Sequence, residues 1–302
     1  MTPSHWLLML AVNLAFGLNL VASKFVLSEL PPLAFVALRF AVVLVILAPF
    51  LRVQRGQMPV LLGVGLLMGT VHFALLIFGL QQAADVSTVA ILVQLGVPLS
   101  TLMSVLFLGE VIRWRRTLGI AVSFLGVMII GFDPRVFGYG EAVLLVVGAA
   151  LAGAAGMTLM KARVKVDAFQ LQGWLAVVAF PTLAILSLAT ETGQVEAVMT
   201  ASPLVLGLVL FSAIGASLIG HGGTYELLRH YELSLVSPLL LLATVVGVVF
   251  GVLLLGDVVT PRMIIGGLVT LGGALVITLR SGSHGVAPAI DSPAVPDPEA
   301  KS

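Results

Sequence analysis

The sequence predicts an all-α integral membrane protein: ten transmembrane helices in two inverted five-helix repeats, with both termini cytoplasmic. Three observations predict it. The chain is too poor in charge to face water. Its apolar residues fall into ten stretches of membrane-spanning length. Its second half repeats its first.

Of 302 residues, 59% are hydrophobic and 10% are charged, where a soluble domain carries about 25% charged residues. Such a chain cannot clothe a surface in water, and the bilayer is the solvent it suits. Thirty-two glycines fit the same setting, because small residues let membrane helices approach closely. A net charge of +1 leaves no electrostatic footprint for nucleic acid. The absence of cysteine excludes disulfides, thiolate chemistry and cysteine metal sites. No metal or cofactor is expected. The expected partners are a small-molecule substrate and the lipid bilayer, with monomer and homodimer both open.

A helix needs about 20 apolar residues to cross the hydrocarbon core. Suitable stretches run near 5–27, 33–51, 58–81, 87–108, 115–132, 138–160, 168–190, 203–228, 233–255 and 261–280. The first is too long for a signal-peptide core and lacks a basic leader, so it reads as a retained helix. Pro31, Pro32, Pro59, Pro134, Pro203 and Pro261 stand at or near helix starts, where a missing N–H costs little. Trp6 and Trp114 fall at predicted interfaces and read as belt anchors. Residues 281–302 turn to Ser, Gly, Pro and Asp and read as a disordered cytoplasmic tail.

Loop charge sets the orientation. With a cytoplasmic N-terminus, the inner segments collect Arg52, Arg55, Arg113, Arg115, Arg116, Lys161, Arg163, Lys165, Arg229, Arg280 and Lys301. The outer loops keep only Arg135 and Arg262. The bacterial inner membrane is the expected location.

The repeat appears when the sequence slides along itself by 147 residues. Ser87 to Gly131 then falls on Ser234 to Thr278 without a gap. Leu108-Gly109-Glu110 meets Leu255-Gly256-Asp257, Arg115 meets Arg262, Gly119 meets Gly266 and Gly126 meets Gly273. Aliphatic matches mean little in so apolar a chain, so the glycines, the carboxylate and the arginine carry the signal. Five helices per half is an odd number, so the second half must enter the membrane upside down. Lys24 and Lys161, ending the first and sixth stretches, echo one another at opposite faces. The expected domains are 1–134 and 135–280, followed by the tail. Inverted repeats place a substrate site near the midplane between halves and support alternating access.

Phe16-Gly17-Leu18-Asn19-Leu20-Val21-Ala22-Ser23-Lys24, the Leu-Gly-Glu ending the fourth stretch and its Leu-Gly-Asp echo resemble the EamA family of the drug/metabolite transporter superfamily. Phe16 stands where that family often has Trp. The resemblance covers nearly all of residues 5–280. It implies ten helices in two five-helix repeats and export of amino acids, other metabolites or toxic organic compounds.

Polar groups inside lipid are costly and usually face a cavity or a partner helix. His72 and His221 lie mid-helix in repeat-related stretches, two residues out of register, and could bind substrate or relay protons. Asn13 and Asn19 could bind a zwitterion or fix a helix contact, with Phe16 beside them. Gln94 lies one turn before Pro98, and together they could open a polar notch in the cavity wall. Phe78, Trp174 and Tyr225 are candidate aromatic cavity residues, although core or lipid packing would also place them. Lys24, Arg39 and Lys161 are candidate gating or pairing residues. For Lys24 the candidate partners are Glu29 and Asp85, and Arg39 is expected to snorkel or pair near the outer side. Ser100-x-x-x-Ser104 aligns with Gly247-x-x-x-Gly251 and reads as a packing groove. Glu110 and Asp257 read as helix-end pairing.

No carboxylate falls near a predicted helix midpoint. Smaller relatives in the superfamily use a glutamate in the first helix, and none stands here before Glu29. This disfavours a permanent cation and favours a neutral or zwitterionic solute. The expected function is therefore export of small metabolites, most of all amino acids, by alternating access. A multidrug exporter of the same fold, a flippase or nucleotide-sugar carrier, and an intramembrane hydrolase built on Ser217 and His221 are the alternatives. The cysteine-free background gives a direct topology test. Single cysteines at positions 24 and 161 should react with an impermeant thiol reagent from opposite faces, and same-side labelling would refute the inversion.

Overall fold

A computed structural model describes residues 1–109, 114–133, 138–231, 236 and 239–279. Glu110, Arg113, Pro238 and the tail 281–302 lie outside the described residues, as do the side chains of Arg115, Arg116 and Tyr225. The described chain is helical throughout. α1 is Pro3–Val26, α2 Pro32–Leu47, α3 Met58–Gln82, α4 Val86–Leu108, α5 Trp114–Gly131, α6 Gly140–Arg163, α7 Ala168–Thr190, α8 the short Gln194–Thr200, α9 203–230, α10 Leu242–Leu255 and α11 Pro261–Leu279. Seven of these helices are long and apolar enough to cross a membrane: α1, α2, α3, α4, α6, α7 and, in α9, Pro203–Gly222. The apolar cores of α5, α10 and α11 are shorter, at Thr117–Ile130, Leu242–Leu255 and Pro261–Val276.

Local chemistry sets the ends. Proline opens α1, α2, α9 and α11, and the side chains of Thr2, Asp167 and Ser202 accept N–H bonds from the first turns of α1, α7 and α9. The glycines of the repeated Leu-Gly-acid motif end α4 and α10. Gly109 has φ 66° and Gly256 φ 70°, the left-handed conformation that a side chain resists.

The helices pair in a pattern that survives exchange of the two halves. α5 crosses α11 and α2 crosses α7, each helix against its own counterpart. α1 packs on α9 and α10, while its counterpart α6 packs on α3 and α4. At the α5–α11 crossing the matched glycines meet. A Cβ on Gly126 would sit 2.6 Å from the Gly266 carbonyl oxygen, and one on Gly273 would sit 2.6 Å from that of Gly119. Ser123 donates to the Thr270 carbonyl at 3.2 Å across a separation of 147 residues. The repeat register therefore has a packing cause. The Gly247/Gly251 groove does too: Gly247 abuts Ala90 and Gly17, and Gly251 abuts Ser87 and Asp257.

Hydrogen bonds between the halves fasten helix ends. The Glu191 carboxylate accepts from Leu33 N at 2.8 Å, Ala34 N at 3.1 Å and its own helix's Ser187 Oγ at 2.6 Å. At the other end of α2, Gln170 accepts from Arg52 N at 3.0 Å and donates to the Phe50 carbonyl. α7 thus caps both ends of α2. Asp257 Oδ2 accepts from Ser87 N and Ser87 Oγ, both at 2.7 Å, and so caps α4.

Of three wide π-type turns among the described residues, two stand at matched places, Gly65–Val71 in α3 and Ser212–Gly222 in α9, and the third, Gly251–Leu255, ends α10 without a match in α4. The first residues of the matched pair are one repeat length apart. Such turns are rare and gather at functional sites, and His72 directly follows the first while His221 lies within the second.

The crossing yields a stability prediction. Gly126→Val and Gly273→Val should each cost about 1–3 kcal/mol by overpacking, read as earlier thermal unfolding in detergent. Gly207→Val, where a Cβ meets nothing within 4 Å, should be near neutral. Equal unfolding temperatures for all three would refute the crossing.

Candidate functional site

Between the two halves lies a cavity in two adjoining lobes, of about 350 and 300 Å³. His72, Phe73, Val93, Val97 and His221 line both. The first lobe adds Phe16 and Asn19 from α1, Arg39 from α2, Gln94 from α4, and Thr244 from α10. The second runs past Ser100 and Ser217 to Met157 on α6 and Gln172 on α7.

The two histidines are seated by different means. His72 Nδ1 lies 2.7 Å from the Ala149 carbonyl oxygen of α6. A carbonyl only accepts, so Nδ1 carries the proton and the neutral ring keeps Nε2 as an acceptor. The ring fits because Gly153 faces it, where a Cβ would come 2.9 Å from Nδ1. His221 meets the edge of Phe16 at 5.0 Å and 67°, and Phe16 lies over Gly220. A large α1 residue thus meets a glycine of α9, while a glycine of α6 meets a large residue of α3.

Arg39 is 4% exposed. Its Nε and Nη2 donate to Ser217 Oγ at 3.2 and 3.1 Å, and its guanidinium lies 4.7 Å from the centre of the Phe73 ring. The expectation of a snorkelled outer arginine is corrected. Arg39 sits on the face of α2 that meets Phe73 of α3 and Ser217 of α9, and there it lines the cavity. Ser217, considered as a hydrolase nucleophile, holds this guanidinium.

Gln94 lies in the 3-10 turn Val93–Leu95 within α4. Pro98, four residues on, offers no N–H to the Gln94 carbonyl, and the break turns Gln94 into the cavity wall. Gln94 lines the first lobe, and Pro98 is buried outside the lining of both lobes. Asn19 lines the first lobe with its Oδ1 buried and unpartnered.

Other candidates fall elsewhere. Asn13 is buried and donates to the Met9 carbonyl of its own helix at 2.8 Å, away from the lining, with its Oδ1 unpartnered. Phe78 packs against the main hydrophobic core. Trp174 donates Nε1 to the Arg52 carbonyl at 3.1 Å and packs on a small cluster around Leu61. Tyr225 lies on α9, but its side chain is outside the described residues. Lys161 is exposed in the last turn of α6. Lys24 neither snorkels nor pairs with Glu29. Its ammonium donates to the carbonyls of Leu80, Gln81 and Ala83 at 2.8, 3.2 and 2.5 Å, closing the end of α3, whereas Glu29 accepts from Ser202 N and Oγ. Phe73, Thr244 and Gln172 were not singled out by sequence, since their apolar or weakly polar surroundings give no local signal, and Ser100, read as part of a packing groove, lines the second lobe.

The chain matches the EamA-like transporter family over residues 4–132 and again over 140–279. A protein of Escherichia coli (strain K12) named "Probable amino-acid metabolite efflux pump" is 27% identical over 92% of this chain and 94% of its own. A protein of the same name from Salmonella typhimurium (strain LT2) is 25% identical over 91% and 95%. An "Uncharacterized transporter" of Archaeoglobus fulgidus is 26% identical over 91% and 99%. One solved crystal structure shares the fold, with a TM-score of 0.63 at 18% identity over 92% of this chain and 98% of its own. The protein belongs to the EamA-like transporter family, carries two of its repeats and is a multi-pass membrane protein.

The Lys24 geometry predicts a stability effect. Lys24→Met leaves three carbonyls short of a donor and should cost about 1–3 kcal/mol, measured by thermal unfolding. Combined with Glu29→Gln, the losses should add to within about 0.5 kcal/mol; strong coupling would restore the ion pair.

Proposed function

We propose that this EamA-family protein is a secondary transporter of the bacterial inner membrane that exports small zwitterionic metabolites, foremost amino acids. In this reading ten helices cross the membrane as two inverted repeats, 1–134 and 135–280, with both termini and the tail 281–302 cytoplasmic. The two halves rock about the α5–α11 and α2–α7 crossings, exposing the cavity to each side in turn.

The observation that carries the proposal is the cavity. Helices of both halves line it, it adjoins the two matched π-type turns, and a few polar groups stand in an otherwise apolar wall. That is the form of a small-molecule site, placed where repeat transporters bind their cargo. The names of the bacterial relatives support amino acids. Closure at one end is supported by the Asp257–Ser87 and Lys24 caps, while the second lobe runs toward Met157 and Gln172, near the end that loop charge places inside.

Purified protein in liposomes should exchange labelled amino acids from a broad panel, including leucine and phenylalanine, well above protein-free vesicles. Val97→Trp, which fills the wall shared by both lobes, should reduce flux at least about tenfold, since overpacking a formed cavity leaves no room for cargo. Flux of organic dyes with none of any amino acid would move the protein to the multidrug class.

A further inference from the structure

Arg39 poses a problem that the fold does not solve. A buried charge is tolerated when paired, and an unpaired one costs several kcal/mol. Among the described residues no carboxylate lies within 4.0 Å of Arg39. Its polar partner is a single neutral hydroxyl that receives both Nε and Nη2, and Nη1 has no acceptor among the described residues. A guanidinium that served packing alone would be saturated with acceptors. This one is held by a serine and a ring face at the cavity wall, with its planar fork only half used by protein groups.

Neutral acceptors line the same lobe, Gln94 and Thr244 among them. Asn19 brings a buried, unpartnered Oδ1, and His72, whose Nδ1 proton is committed to Ala149, retains Nε2 as an acceptor. One cation with several neutral acceptors, and no carboxylate among the described lining residues, is complementary to a solute carrying one carboxylate and one ammonium group.

We infer that Arg39 is the carboxylate-binding residue of the transport site and that its bond to Ser217 is a stand-in which the substrate carboxylate replaces. The inference rests on the export reading above and narrows its cargo to α-amino acids, selected by the carboxylate. It also ties binding to motion. Arg39 belongs to the first half and Ser217 to the second, so an arriving carboxylate takes over a bond that joins the halves across the cavity.

The test uses the full-length protein in liposomes and counterflow of the labelled amino acid giving the highest flux. Unlabelled competitors are that amino acid, its carboxamide and the matching decarboxylated amine. In the wild type, the amide and amine should compete at least about tenfold more weakly, and Arg39→Gln should lose about 10- to 100-fold in kcat/KM, the range for a hydrogen bond to a charged group. The same variant should lose the preference for acid over amide, which a purely structural role would not alter. If Arg39→Gln fails to fold, Arg39→Lys keeps the charge without the fork and should raise KM with the preference retained. The wild-type competition series needs no variant at all. Amide competing as well as acid in the wild type, or Arg39→Gln keeping the preference, overturns the assignment while leaving transport intact. No flux of any amino acid removes the export reading and this inference with it.

Discussion

A helix leaves the first N–H and last C=O groups without partners of its own, and where a helix end is buried the protein must supply them. That constraint organises the molecule. Glu191 and Gln170 of α7 close the two ends of α2, Asp257 closes the start of α4, and Lys24 closes the end of α3. Three of these four caps cross from one half to the other. The halves are therefore joined at their helix ends by polar bonds that need exact placement, and along their lengths by apolar contact that tolerates sliding.

Symmetry governs the crossings and fails in the cavity. Matched glycines bring α5 and α11 together, and matched π-type turns begin at positions 65 and 212. The cavity wall breaks the match. Phe16 over Gly220 and His72 over Gly153 exchange large and small partners, Pro98 opens α4 where α10 has Val245, and Arg39 stands on one side only. A symmetric scaffold with an asymmetric lining suits a cargo whose two ends differ.

Much of the fold was legible because lipid demands long apolar runs, and every predicted stretch contains a helix among the described residues. The Leu-Gly-acid motif was legible as well, although only coordinates show the left-handed glycine in both copies and the Asp257 carboxylate turned onto α4. Facing was much less legible. In water an apolar stripe marks the buried side of a helix, but core and lipid are equally apolar, and nearly uniform helices such as α2 and α7 do not declare which side faces the cavity. Phe78, Trp174 and Asn13 were misplaced for that reason. Arg39 was judged by its distance along the helix, when the neighbour covering that face of α2 decided its position. Phe16, Asn19, His72, Gln94 and His221 reached the cavity because their polarity or their motif set them apart.

Ser123 bonds to Thr270, and each is the other's counterpart in the repeat. A contact between a residue and its own copy is what two identical chains make on a two-fold axis. On such an axis, one substitution in a half-length ancestor changes both sides of the contact at once and is tested twice. In this chain the two sides are separate residues, and they differ only as Ser against Thr. The cavity wall, off the axis, was free to diverge much further. The two-fold match is thus kept at the α5–α11 crossing and lost at the cavity wall.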